Sequence, residues 1–314
     1  MTRLVIEGCA IATVDGDRTE HADGHIVVRH GFIDEVGAGP APAGDEDEVR
    51  IDGRGMLATP GLVNCHHHLY QWATRGLAQD NTLFEWLQEL YPIWAHVDAA
   101  IEQAAARAGL VALARSGCTT ASDHHYLFPR DGGDLLGVEV DAARDVGLRF
   151  HPCRGSMDLG RSDGGLPPDD VVEHRAAILA ASQDAIDRYH DPSPQAMVRI
   201  ALAPCSPFSV TTDLMREAAA LARDKGVRLR TDSHHHGQQT ESQHGNQVGA
   251  GHAVEHAARH DRLQRCGSAG ADDEEAPGTE QVVLRGEHED AQVGPLMLVH
   301  PTATRVQQVV ATKA

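Results

Sequence analysis

No two of the six cysteines in this 314-residue chain, Cys9, Cys65, Cys118, Cys153, Cys205 and Cys266, stand in CxxC spacing. That scatter excludes a disulfide framework and a Cys-type zinc site, and fits reduced, mostly buried thiols. No apolar run approaches the roughly 18 residues of a membrane span. The opening, MTRLVIEGCAIATVDGD, alternates like a strand where a signal peptide would carry an apolar block. A cytoplasmic protein is expected. Positive charge is also short: 27 Lys and Arg stand against 46 Asp and Glu, a formal charge of −19. Such a balance argues against nucleic acid or an anionic membrane as the main partner and favours a small molecule. Aromatic residues make up only 4% of the chain, and every one lies at or before Phe208, so the last third has no aromatic anchor for a core.

What is present is organised in three stretches. Residues 1–58 hold short alternating runs, LVIEGCAIATV, HIVVRHGFIDEVG and VRIDGRGMLATP, broken by Gly, Asp and Pro. They predict a small antiparallel β-sandwich unit. From Thr59 to Thr231, strand-like apolar runs alternate with amphipathic runs of helical length, the pattern of βα units on a parallel sheet. Strands are expected at 61–64, 119–122, 148–152, 198–203 and 227–230, with helices at 98–116, 139–146, 172–189 and 212–225. The last helix has Thr211 or Thr212 as a cap and ends in Lys225-Gly226. Five such strands are the front of an α/β (β/α)₈ TIM-type barrel, which takes about 250 residues and carries its reactive groups at the strand C-termini.

Residues 232–314 break the pattern. They hold 9 of the 21 histidines, TDSHHHGQQTESQHGNQVGAGH has neither helical nor strand period, and CGSAGADDEEAPGTE reads as a polar linker. Only VGPLMLV and VQQVVA are candidate ordered segments. A poorly ordered tail and an incomplete barrel are expected.

The strongest chemical signal is Pro60-Gly61-Leu62-Val63-Asn64-Cys65-His66-His67-His68. Imidazoles two residues apart at a strand end share a face, so His66 and His68 can grip one metal ion while His67 points away. A catalytic zinc needs about three protein ligands and an open position, and this motif supplies two.

Together PGLVNCHHHLYQ, LFEWLQELYPIW, SGCTTASDHHYLFP, RFHPCRGSMDLGRSDGGLPPD and ALAPCSPFSV resemble the amidohydrolase superfamily, in the branch of 8-oxoguanine deaminase and hydroxyatrazine ethylaminohydrolase. The resemblance runs to about Arg230. It implies one zinc ion per chain and a hydrolytic deaminase of a purine-like ring, in which metal-activated water attacks the amine-bearing carbon and ammonia leaves. The metal would be held by the first-strand His pair, a His ending strand five and an Asp ending strand eight. A Glu would shuttle protons and a strand-six His would orient the water.

Only the first pair is matched directly, by His66 and His68. Where the resemblance expects the strand-five His stands Asp232, and where it expects the Glu stands His235. Catalytic residues therefore stay unassigned. Gln71 and Arg154 are the candidate substrate-binding residues, with helix packing and a structural ion pair as their respective alternatives. Tyr70 has the same two readings as Gln71. Asp123, His124 and His125 are expected to support the reactive rim. Trp72, Trp86 and Trp94, with Phe84 and Tyr91, are expected to cap the barrel mouth, and His234-His235-His236 to be solvated. The partner is a small heteroaromatic substrate, and homo-oligomer formation is left open. Two other readings stay open: hydrolysis of a triazine or another ring C–N or C–Cl bond, and a non-catalytic truncated relic.

Overall fold

The computed structural model describes residues 3–44 and 48–233, together with the backbone of five short strands beyond them. The first unit is built on β1 (Arg3–Ala12), β2 (Glu20–Arg29), β3 (Phe32–Ala38), β4 (Glu48–Asp52) and β5 (Leu57–Pro60). Its alternating apolar residues close a core of Ile6, Cys9, Ile11, Ile26, Val28 and Ile33. The expected antiparallel sheet is in fact mixed. β2 runs antiparallel to β1 and to β3, whereas β4 and β5 pair with β1 in parallel. The reason is the length of β1, whose first half pairs β4 and whose second half pairs β5. Between those two strands a tight turn returns the chain to β1: the Gly53 N–H donates to the Glu7 carbonyl at 2.8 Å, and Gly55 takes a φ of +75°, which glycine adopts without steric cost.

The second sheet contains β6 (Leu62–Asn64), β7 (Cys118–His125), β8 (Arg149–Ser156), β9 (Ala201–Pro204) and β10 (Arg228–Ser233). These five pair in parallel and in chain order, forming a curled half-barrel. Around it lie α1 (Leu83–Trp94), α2 (Ala99–Arg115), α3 (Leu135–Val146), α4 (Arg175–Tyr189) and α5 (Thr212–Lys225). α1 was not foreseen as a helix; its start is fixed by Glu85, whose carboxylate accepts from the N–H and hydroxyl of Thr82. α3 begins four residues before the expected 139 because Asp134 caps it, accepting from the Gly137 N–H at 3.0 Å. α4 begins later than 172, after a single 3₁₀ turn at Asp169–Val171. α5 matches the expectation at both ends, with the Thr211 hydroxyl accepting from the Leu214 N–H and Gly226 left-handed at φ +66°.

Strands β7 and β8 run three and four residues past their expected ends. The added residues, Asp123-His124-His125 and Cys153-Arg154-Gly155-Ser156, are mostly polar but buried, so the apolar runs end before the strands do. Leu136, Val140, Ile186, Ile200, Leu202 and Ala218 pack the helices onto the sheet.

Beyond β10 come β11 (Leu263–Arg265), β12 (Glu280–Leu284), β13 (Leu296–Val299), β14 (Gln307–Val309) and β15 (Thr312–Lys313). The two expected ordered segments correspond to β13 and β14; β12 was not expected. β12 lies antiparallel against β10, on the flank where a barrel would place its sixth parallel strand. β13 joins β5 in the first sheet. Among the described residues no helix follows α5.

Candidate metal centre

The rim of the half-barrel gathers His66, His68 and Asp232. β6 ends at Asn64, so the three histidines lie in the short link before a 3₁₀ turn at Leu69–Thr74. The His68 ring donates Nδ1–H to the His124 carbonyl at 2.9 Å. That bond fixes the tautomer and turns the Nε2 lone pair outward, where Oδ2 of Asp232 lies 3.6 Å away. The His66 ring stands edge-on to His68 with centroids 5.0 Å apart, and its buried Nδ1 has no hydrogen bond.

Asp232 is delivered by β10, whose course is pinned where the Asp232 N–H donates to the Cys205 carbonyl at 2.8 Å. Its Oδ1 has no hydrogen bond and lies 3.5 Å from Nδ1 of His124. Burial pushes the Asp232 carboxyl up to about 6, against the pull of His66. Burial also holds His66 below its usual range, the charge on His68 adding to it. His124 is held well below its usual range, again by burial first. The His66 and His124 rings, held toward the neutral form and with ring nitrogens that make no hydrogen bond, beside a carboxylate with an unsatisfied oxygen, are the donor chemistry of a zinc site.

His67 departs from expectation. Strand alternation stops at Asn64, and His67 lines the same cavity as its neighbours. It accepts from Trp72 Nε1–H at 3.3 Å, and its carbonyl takes the His124 N–H. Desolvation lowers its ring to about 4. The cavity, about 700 Å³, is walled by Trp72, Phe84, Trp86, Leu87, Leu166 and Phe208, with the His pair and Asp232 at its polar end. Tyr91 also faces it, whereas Trp94 is buried in the core beneath, its indole N–H donating to Thr74.

Of the substrate candidates, Gln71 lines the cavity, and Tyr70, which had the same two readings, is buried behind it. Arg154 is committed to Glu173 by two hydrogen bonds of 2.7 and 2.9 Å and lies over the Phe128 ring at 3.6 Å. Asp123 supports the rim: its Oδ1 accepts the Leu69 N–H at 2.6 Å, next to His68. His234, His235 and His236 lie outside the described residues. Sequence reasoning missed Tyr126 and Cys205, which also line the cavity. It also missed Glu102 and Glu139, whose signal was a carboxylate on the apolar stripe of an otherwise amphipathic helix.

Comparison with known proteins places these features. The amidohydrolase family profile matches residues 57–275. The chain is 46% identical over 213 residues to an 8-oxoguanine deaminase from Pseudomonas aeruginosa, covering 67% of this chain and 47% of the relative. It is 39% identical over 220 residues to a hydroxydechloroatrazine ethylaminohydrolase from Pseudomonas sp. strain ADP, covering 66% and 45%. Among solved structures, an atrazine chlorohydrolase mutant from Arthrobacter aurescens in complex with zinc and atraton superposes with a TM-score of 0.72 at 33% identity, over 81% of this chain and 58% of that one. The chain spans about half the length of the curated relatives it matches.

Proposed function

Because the chain belongs to the amidohydrolase family, we propose that it serves zinc-dependent hydrolytic deamination of a purine-like ring, with 8-oxoguanine as the substrate to test first. The observation that carries this reading is the meeting of His66, His68 and Asp232 at the polar end of a cavity with aromatic walls. Those three residues would hold the zinc, Asp232 standing where the family has a histidine. A zinc ion held there would supply Lewis acidity, lowering the pKa of water from 15.7 toward about 7.

The chain's own groups supply the rest. Trp72, Trp86 and Phe208 accept a planar ring and keep water from its faces. Gln71 offers an amide to the ring's amide-like edge. Among the described residues Asp232 is the only carboxyl lining the cavity. With Oδ2 toward His68, Asp232 keeps Oδ1, which receives no hydrogen bond, as the oxygen that can pass a proton. That is the transfer the departing nitrogen needs.

A second reading, hydrolysis of a substituted triazine, is favoured by the atrazine chlorohydrolase superposition. One assay separates the two: zinc-loaded full chain is offered 8-oxoguanine and hydroxydechloroatrazine, and ammonia and ethylamine are measured. Faster ammonia release from 8-oxoguanine supports the purine reading, preferential ethylamine release supports the triazine reading, and neither amine sinks both.

A further inference from the structure

Behind the rim, on the helix side of β7, three carboxyls and one imidazole meet out of reach of water. Asp123 and His125 come from β7, Glu102 from α2 and Glu139 from α3, and each is 0% exposed. His125 donates Nε2–H to the Leu127 carbonyl at 2.8 Å. Its Nδ1 faces the other way, 3.0 Å from Glu139 Oε1, at hydrogen-bond distance, and 3.9 Å from Glu102 Oε1. Both oxygens of Glu102, Oε2 of Glu139 and Oδ2 of Asp123 receive no hydrogen bond. Glu139 sits against both other carboxyls. Among the described residues, no Lys or Arg pairs with Glu102 or Glu139, and His125 is their one basic partner.

Buried carboxylates without a compensating charge are costly, and here burial pushes Glu139 up to about 7 and the other two well above their usual range. Only two things can lie between facing carboxyl oxygens: shared protons or a cation. The spacing suits a cation. Ligands around a tetrahedral ion with bonds of about 2.0–2.1 Å lie roughly 3.3 Å apart, and the separations of 3.0 and 3.9 Å bracket that value. One donor atom from each of Glu102, His125 and Glu139 can be chosen so that all three lie within 4.8 Å of one another. An imidazole fixed by a backbone carbonyl on its far nitrogen is the usual form of a metal-binding histidine.

We propose that Glu102, His125 and Glu139 form a second divalent-cation site, separate from the His66 and His68 pair and structural in role. Its mixed nitrogen and oxygen donors suit zinc or manganese. The ion ties α2 and α3 to the end of β7. From that strand end, Asp123 holds the Leu69 N–H and the His124 carbonyl holds the His68 ring, so the site braces the rim without touching substrate.

The test is the metal content of the folded full chain after equilibration with zinc or manganese and dialysis. The H66A/H68A chain is expected to retain one cation, and to lose it when Glu102→Gln and Glu139→Gln are added. Its thermal midpoint should fall on chelation, and that fall should vanish in the combined variant. A folded H66A/H68A chain that takes up neither metal overturns the proposal and leaves a cluster held by protons only. A cation that persists after Glu102→Gln and Glu139→Gln also overturns it, as binding elsewhere, for instance by histidines after Ser233. If the combined variant does not fold, His125→Gln in the H66A/H68A background gives the same reading. Loss of one cation on H66A/H68A substitution reports on the proposed catalytic site alone, so the two readings fail separately.

Discussion

At the scale of single residues, the metal pair is legible because His66 and His68 need only a spacing of two and a preceding strand. Asp232 is legible only by position, since nothing about an aspartate in RTDSHHH announces a buried group 3.6 Å from His68. Glu102 and Glu139 were legible only as carboxylates on the apolar stripe of their helices. An acid near the start of a helix reads as favourable to the helix dipole, and only the packed structure reveals that both are closed off from water. If Asp232 is the third zinc-facing group, Asp232→Ala should weaken zinc binding at least about 10-fold, the lower end of what is lost even when outer partners of a metal site are removed. Competition against a chromophoric chelator measures it, and unchanged affinity would remove Asp232 from the site.

A second residue-scale prediction concerns pH. His151 is partly buried and accepts from Arg230 Nη2 at 3.1 Å. Burial first, then the charge of Arg230, holds its pKa well below the ordinary 6.5. A histidine depressed in the fold is neutral there, so its contribution to stability is present above 6.5 and is lost as pH falls toward the folded value. The urea midpoint should therefore drop between pH 7 and pH 5, less steeply in His151→Gln. Equal slopes for the two chains would contradict the assignment.

At the scale of elements, α5 declared itself by its caps and the strands by apolar runs, but α1, the start of α3 and the polar strand ends did not. The Thr211 cap and Gly226 bound α5 as expected, while β7 and β8 carry buried polar residues beyond their apolar centres. Those extra residues bring the two strand ends close together. A Cβ placed on Gly155 would lie 2.2 Å from the His125 carbonyl oxygen and 2.6 Å from Tyr126 Cα, contacts that backbone cannot relieve by rotation. Gly155→Ala should accordingly cost roughly 1–3 kcal/mol of stability, the range of overpacked core substitutions. Because His125 lies on the same strand end, metal uptake should fall as well. Denaturant unfolding of the two proteins tests this, and wild-type stability in the variant would show that the strands have room to part.

At the scale of the molecule, the alternation of strands and helices made the parallel half-barrel legible, and the loss of that period after Arg230 marked where it stops. The direction of β4, β5 and β12 was not legible, because strand direction is set by which neighbour each segment meets and not by its own residues. The mixed first sheet and the antiparallel β12 against β10 are both of this kind. What the half-barrel does assemble is one rim where β6, β7 and β10 bring His66, His68, His124 and Asp232 together under aromatic walls. The central claim is that this rim makes deamination depend on zinc. It is tested most directly by titrating zinc into the chelator-treated full chain while ammonia release from 8-oxoguanine is followed, with the H66A/H68A chain alongside. The account predicts release that appears only with added zinc and is absent from H66A/H68A; ammonia release indifferent to chelation, or zinc bound at this pair without any release, would contradict it.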